Sequence, residues 1–406
     1  MTITTDLSNP SEPIPADDSE FEAFRERVRT FIVKNAPDLP YRTGTRSPED
    51  DHELALLRTW SAQLYAEGLV GADWPEEFGG RSGADPIEDF IVSEELKRAQ
   101  APVPIGAGSL VAHALITFGS PDQKRRFLPR IRSFEDVWCQ LFSEPDAGSD
   151  LASLKTRATR DGDVYVVEGQ KVWSTNAAFA GWGYLLARTD PDAVKHAGIS
   201  AFVLDLSLPG IDVRPLREMT GTSDFNEVFL DGVRVPAEYL IGVENDGWRV
   251  ATTSLSEERA GVGGNVAGLR QGFEALRSLA RATPAGRRTA ADDPLVRQAL
   301  AGFATRIEII TLLARATVER RRRGEIRVQD APIGKVSFAE LNEEMADYGV
   351  GLEGAAGTLA GSDPDAVDGG RWQDELLYAK AYTISGGSNE IMRNILAERA
   401  LGLPRT

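Results

Sequence analysis

Phe142-Ser143-Glu144-Pro145-Asp146-Ala147-Gly148-Ser149-Asp150 and Lys171-Val172-Trp173-Ser174-Thr175-Asn176 each close a strand-like run near the middle of the chain. Each brings a hydroxyl, Ser143 or Thr175, to the end of a strand, and the second adds the flat indole of Trp173. The first then turns through Gly148, where backbone can approach a ligand closely. Hydroxyls beside an aromatic plate suit a flat heterocycle with polar edges, and such a ring points to redox chemistry carried by a cofactor.

Outward from these stretches the periodicity assigns the fold. Asp163–Val167, Gly183–Ala187, Ile199–Leu204 and Glu227–Leu230 are short β-branched or aromatic runs, separated by turn signals such as Asp161-Gly162, Pro209-Gly210 and Asp231-Gly232. Before about Val137 the pattern is helical: Phe21, Phe24, Val28 and Phe31 form one stripe and Leu54, Leu57, Trp60 and Leu64 another. Pro121 opens a further helix. Helical pattern resumes at Gly247. The order helical, β, helical is a segregated α+β plan. It predicts a disordered lead-in over residues 1–18, a helical domain over 19–136, a β domain over 137–246 and a helical domain over 247–406.

At the two opening stretches the chain resembles the acyl-CoA dehydrogenase family of flavoproteins, whose signatures read Thr/Ser-Glu-Pro-x-Ala-Gly-Ser-Asp and Lys-x-Trp-x-Thr/Ser-Asn. A third likeness runs from Ile384 through Ser385-Gly386-Gly387-Ser388-Asn389-Glu390 to Arg399, and a fourth is Trp74-Pro75-Glu76-Glu77-Phe78-Gly79-Gly80. The resemblance implies an N-terminal helical domain, a β-barrel-like middle and a C-terminal four-helix bundle.

Composition narrows the function classes. The 406 residues carry 45 Lys and Arg against 62 Asp and Glu, a formal net charge of −17. Such a surface repels nucleic acid and anionic membranes, and a coenzyme A site would need a local basic patch. The run Arg320-Arg321-Arg322-Arg323 reads as a solvated helix end beside Gly324 or as a phosphate site. No membrane span is expected, because no uncharged apolar stretch of about 18 residues occurs. The polar, acidic start does not read as a signal peptide. Cys139 is the sole cysteine, which fits a reducing cytoplasm, and His52, His113 and His196 lack metal-ligand spacing.

A candidate base follows from helical phase. Ala251, Leu255, Val262, Val266, Leu269, Phe273 and Leu276 form one apolar stripe after Gly247, and Glu258 falls within it while Glu257 is turned about 100° away. A carboxylate facing a core has a raised pKa, as a general base near neutral pH requires. A structural Glu paired with an Arg meets the same pattern. The resemblance adds that one branch of the family carries its base just before the glycine of the third motif, where this chain has Gly386, and another carries it on this earlier helix before an Arg. Glu258-Arg259 matches the second branch.

The resemblance also implies FAD. It assigns Gln140, Leu141, Phe142, Ser143, Ser149, Trp173, Ser174, Thr175, Gly354, Ser388, Asn389 and Glu390 to the cofactor. Phe142 and Ser143 would meet the pyrimidine side of the ring, Trp173 would cover one face, and Thr175 would bond near N5. Ser388, Asn389 and Glu390 would contact the adenosine half, and Gly354 with Gly357 would approach the FAD of a neighbouring subunit. Ser149, Arg259 and Gly387 are the substrate candidates. The implied reaction is α,β-dehydrogenation of an acyl-CoA to a trans-2-enoyl-CoA, with an electron-transfer flavoprotein as acceptor and a homotetramer or a heteromer with a related subunit as the assembly. An oxygen-using flavin oxidase or monooxygenase and a non-catalytic subunit are the alternative readings. Two positions depart from the family pattern: the segment Arg281–Ala290 lacks the usual Arg-x-x-Phe-Gly stretch, and Gly351 stands where Gln is common.

Overall fold

The computed structural model describes residues 21–404 except 41, 43, 45 and 261–265, and at 256–260 it describes the backbone alone. The expected lead-in over 1–18 lies outside the described residues. Five helices come first: α1 Glu22–Asn35, α2 Asp51–Ala66, α3 Pro86–Arg98, α4 Gly108–Phe118 and α5 Pro121–Arg132. Their starts follow capping chemistry, with Asp50, Asp85 and Ser120 each accepting a hydrogen bond from the first turn and Ser120 completing a reciprocal box with Gln123. The two sequence stripes meet, as Val28, Ile32, Trp60 and Leu64 are buried together with Val92 and Leu96 of α3.

The chain then switches to strands: β1 Trp138–Leu141, β2 Arg157–Asp161, β3 Val164–Lys171, β4 Trp182–Arg188, β5 Ile199–Asp205, β6 Ile211–Leu216, β7 Phe225–Pro236 and β8 Leu240–Ile241. They form one sheet in the order β6-β7-β3-β2-β4-β5-β8, with β1 added parallel to β4. The four apolar runs of the sequence are β3, β4, β5 and part of β7. Residues Leu185 to Ala187 and Ala201 to Leu204 are fully buried, the continuous apolar reading of strands covered on both faces. Strands β1, β2, β6 and β8 carry short or polar sequences, and their partners rather than their own pattern define them.

Helices return as α6 Gly247–Ala260, α7 Val266–Ala282, α8 Pro294–Arg322, α9 Asp330–Glu353, α10 Arg371–Ile384 and α11 Asn389–Ile395. Helices α7 to α10 pack round Leu269, Leu276, Phe303, Ile307, Leu341, Met345 and Trp372. The helical, β, helical plan is therefore present. The single stripe read from Ala251 to Leu276 divides between α6 and α7, and Val262 lies outside the described residues. Three of the four arginines at the end of α8 form ion pairs: Arg320 with Asp330, Arg322 with Asp85 and Glu319, and Arg323 with Glu319. This is the helix-end reading of that run.

Helix α6 seats directly on the sheet. A Cβ on Gly247 would lie 2.4 Å from the carbonyl carbon of Ser200 and 2.6 Å from the nitrogen of Ala201. Backbone cannot yield as a side chain can, so α6 approaches β5 as closely as it does because residue 247 has no side chain. Gly247→Ala should cost about 1–3 kcal/mol of stability through overpacking, measured by urea unfolding; an unchanged midpoint would show that α6 does not depend on this contact.

Candidate active site

The first two motifs are joined by a buried charge pair. Lys171, at the end of β3, is fully buried, and its ammonium donates to Glu144 Oε1 at 2.8 Å and to the carbonyl of Phe142 at 3.0 Å. The backbone N–H groups of Lys155 and Thr156 donate to the same carboxylate at 2.6 and 2.9 Å. Burial alone would raise the Glu144 pKa, but Lys171 and these donors hold it below its ordinary value. Burial pulls Lys171 down to about 8, against the opposing pull of Glu144. One further bond, Val172 N–H to Ser143 O at 3.0 Å, completes the join. Ser143, half-buried, thus lies beside the turn that carries Trp173 and Thr175.

That turn is strained. Trp173 has φ +60° and Asn176 φ +61°, in the left-handed region that bulky residues seldom occupy. Such geometry costs on the order of 1–3 kcal/mol and persists where surroundings enforce it. Ser174 and Asn226 exchange two backbone hydrogen bonds at 3.1 Å, and Asn226 Nδ2 donates to Ser174 O at 3.0 Å. The result turns the Trp173 indole outward, 56% exposed, with the Phe225 ring edge-on at 5.8 Å. Among the described residues Ser174 Oγ, Asn176 Nδ2 and Asn226 Oδ1 are buried without a hydrogen-bond partner. Thr175 is half-buried between them and solvent. A flat exposed ring, two hydroxyls and unpaired buried polar atoms are what a planar heterocycle needs to stack and bond.

Helix α6 is registered on this site through Tyr184. The Tyr184 ring meets Phe142 edge-on with centroids 4.9 Å apart, and its hydroxyl lies 3.3 Å from Ser254 Oγ. Ser254 is fully buried and bonds the carbonyls of Val250 and Ala251. Residue 258 is four positions beyond, hence on the same face of α6 and about 6 Å further along the axis. The side chains of Glu258 and Arg259 lie outside the described residues.

The third motif sits on the C-terminal helices. Gly386 and Gly387 have φ +65° and +92°, and Ser388 caps α11 by accepting from Ile391 N–H at 3.4 Å. Asn389 is buried, with Oδ1 taken by Lys335 at 2.7 Å, while Lys335 also donates to Thr383 O. That commitment leaves the Asn389 amide nitrogen for any ligand. Glu390 is exposed, and Gly354 opens a turn at φ +61° after α9. Gln140 and Leu141 precede the first motif on β1, and Ser149 is exposed on its outer turn. Arg287 and Arg288 are exposed on a small hairpin after α7. A cavity of about 910 Å3 lies apart from all of these, between α1, α3 and the C-terminal helices, lined by paired charges such as Arg25 with Glu95 and Arg29 with Glu22.

Sequence reasoning missed Lys171 and Glu144 as partners, and missed Tyr184 and Ser254. A lysine ending a strand of buried alternate residues was the available signal for the first pair; nothing in the pattern marked the second. Among the described residues no cluster of His, Cys, Asp or Glu could hold a metal, and no helix is long and apolar enough to cross a membrane.

Removing one member of a buried pair strands the other, so Lys171→Met should cost about 3–5 kcal/mol in urea unfolding. The pH dependence has a defined sign. Lys171 sits at about 8 in the fold against 10.5 ordinarily, so between those values the unfolded chain binds more protons and this group makes stability rise with pH. The gap between wild type and Lys171→Met should therefore widen from pH 8 to pH 10; a constant gap would mean that the ammonium is not buried.

Comparison with known proteins agrees with this architecture. Three family models match in chain order: the acyl-CoA dehydrogenase N-terminal domain over residues 18–135, the middle domain over 139–233 and the C-terminal domain over 245–401. The chain is 41% identical to acyl-CoA dehydrogenase IpdE1 of Mycobacterium tuberculosis over 394 residues, covering 95% of this chain and 98% of that one. It is 38% identical to IpdE1 of Mycolicibacterium smegmatis over 402 residues, with 95% and 98% covered. Among solved structures it is similar to the Tcur3481–Tcur3483 steroid ACAD at TM-score 0.86 and 30% identity, covering 97% of this chain and 100% of that one. It is also similar to the ChsE4–ChsE5 complex from Mycobacterium tuberculosis at TM-score 0.83 and 31% identity, covering 97% and 100%. With its sheet domain carrying the Trp173 turn between two helical domains, the chain belongs to the acyl-CoA dehydrogenase family.

Proposed function

We propose that this protein is an FAD-dependent acyl-CoA dehydrogenase that converts an acyl-CoA to its trans-2-enoyl product, with Glu258 as the base. The observation that carries the reading is the Tyr184 bridge, which brings the Glu258 face of α6 to the strand end bearing Phe142 and Ser143. The residues present suit FAD: the outward indole of Trp173 offers a stacking face, and the hydroxyls of Ser143 and Thr175 offer edge contacts. Gln140, Leu141, Ser149 and Ser174 complete that side, and Ser388, Asn389, Glu390 and a neighbour's Gly354 serve the far end. Bound FAD supplies a two-electron acceptor for the hydrogen that leaves the β-carbon with its bonding pair.

The remaining work falls to the chain. Glu258 takes the α-proton, a role that its place on α6, four residues beyond the buried Ser254, supports. Arg259 holds the carboxylate or the substrate. The thioester oxygen gains charge as the proton leaves, and the backbone N–H of Gly387 is the chain's donor to it. Ser149 lines the coenzyme A arm. The steroid ACAD likeness and the bare Gly386 support a bulky, ring-bearing acyl group. Electrons pass on to an electron-transfer flavoprotein, and the single buried Cys139, its thiol pushed up to about 12 by burial, suits a cytoplasmic setting.

A second reading concerns assembly. The hairpin carrying Arg287 and Arg288 stands where the family's Arg-x-x-Phe-Gly stretch is missing, and the ChsE4–ChsE5 likeness is to a heteromer, which supports a related subunit as partner. Purified alone, a chain that completes its own site is yellow and oligomeric; one that needs a partner gains FAD only when the two are mixed.

Anaerobic mixing with bulky acyl-CoAs should bleach the flavin. Glu258→Gln should slow bleaching by about 10²–10⁴-fold with flavin still bound, and Tyr184→Phe should slow it by up to about 10²-fold through misplacement of α6. Full-rate bleaching by Glu258→Gln would remove it as the base.

A further inference from the structure

Before α2, the chain crosses from the N-terminal domain to both other domains through one side chain. Arg46 Nη1 donates to Asp224 Oδ2 at 3.0 Å and to Thr222 Oγ1 at 3.1 Å, while Nη2 donates to both oxygens of Asp374 at 2.7 and 2.8 Å. Its guanidinium lies 4.7 Å over the Tyr378 ring. The side chains of Arg46 and Asp224 are 5% and 4% exposed. Gly44 allows the approach: at φ +82°, it would place a Cβ 2.0 Å from the Tyr378 ring.

Each partner leads to a ligand-facing segment. Asp224 O accepts from Asn176 N–H at 3.3 Å, and Asp224 Oδ1 accepts from Ser47 N–H at 2.7 Å. Ser47 Oγ donates to Asn176 Oδ1 at 2.7 Å. So Arg46 and Ser47 together hold the residue that ends the strained Trp173–Asn176 turn. Asp374 lies on α10, whose C-terminus at Ile384 runs into the Ser385–Ser388 loop. A guanidinium forks between two carboxylates on different elements in a way an ammonium cannot.

We infer that Arg46 is a positioning residue that fixes the separation between the Trp173 turn and the Ser385–Ser388 loop. This rests on the reading of those two segments as the walls of the flavin and thioester site. Arg46 itself acts through Asp224 and Asp374 and need touch neither ligand. The substrate side of α10 and the cofactor side of β3 are thereby held at one spacing by a third domain.

The test is hydrogen–deuterium exchange on the full-length protein, run with and without FAD, for wild type, Arg46→Met, Arg46→Lys and Asp374→Asn. Arg46→Met should speed amide exchange at 173–177 and at 385–389 by about tenfold or more relative to the β5 core. Asp374→Asn should speed exchange at 385–389 and leave 173–177 unchanged, because the Asp224 arm survives. Arg46→Lys should restore part of the protection at one segment. Uniformly faster exchange in Arg46→Met, or an Asp374→Asn protein in which 385–389 does not change, would overturn the inference. Should Arg46→Met fail to fold, the Asp374→Asn result decides. A protein that binds no flavin would end the cofactor reading, while the flavin-free comparison would still judge Arg46.

Discussion

The ammonium of Lys171 against the carboxylate of Glu144 is the contact on which the site depends. It joins the end of β3 to the turn after β1, two strands that are not neighbours in the sheet. Both groups are out of water, so their energy cannot be read as net stability: desolvation offsets much of the attraction. What the pair provides is position. Three donors converge on the Glu144 carboxylate, and Lys171 draws in the carbonyl of Phe142 as well, so Ser143 and Trp173 are delivered side by side. The two motifs read in the sequence as separate ligand-binding stretches are one braced unit.

That brace makes the strain beyond it tolerable. A tryptophan with positive φ and an outward ring would relax if it stood alone. Here the residues before it are pinned by Lys171 and Val172, and those after it by Asn226 and Asp224. Helix α6 is brought to the same place by a different route, through the Tyr184 hydroxyl and the bare backbone of Gly247. The sheet domain is thus the datum from which base helix and ring-binding turn are both measured.

Much of this plan was legible in the sequence. Helical stripes such as Phe24, Val28 and Phe31 with Trp60 and Leu64, and apolar runs such as Ile199 to Leu204, follow from periodicity because burial on one face or both leaves its mark every few residues. The strands β2 and β6 left a weaker mark, since most of their residues are exposed or only half-buried and pairing defines them. At the site, motif likeness pointed to Ser143, Trp173, Thr175 and Ser388, and the capping of α11 by Ser388 follows from its place before an apolar helical run. The long-range partners were not legible. Arg46 with Asp224 and Asp374, or Tyr184 with Ser254, join residues far apart in the chain, and a lone arginine or serine has no local pattern that names its distant mate. Asn389 joins the two cases: its likeness points to a ligand contact, which its amide nitrogen is left to make, while the Lys335 ammonium on its carbonyl is a partner that no local pattern names.

The reach of Arg46 also bears on the order in which the chain can assemble. Its two carboxylates come 178 and 328 positions later, so during synthesis this cation is made long before either counter-charge exists. Closing loops of that length is entropically costly until other contacts have already drawn the ends together. Arg46 can fork between Asp224 and Asp374 only once the sheet and the helical bundle have brought those two carboxylates together. A ribosome pausing before Asp374 would leave that fork undone, with an ionised side chain waiting at an open seam.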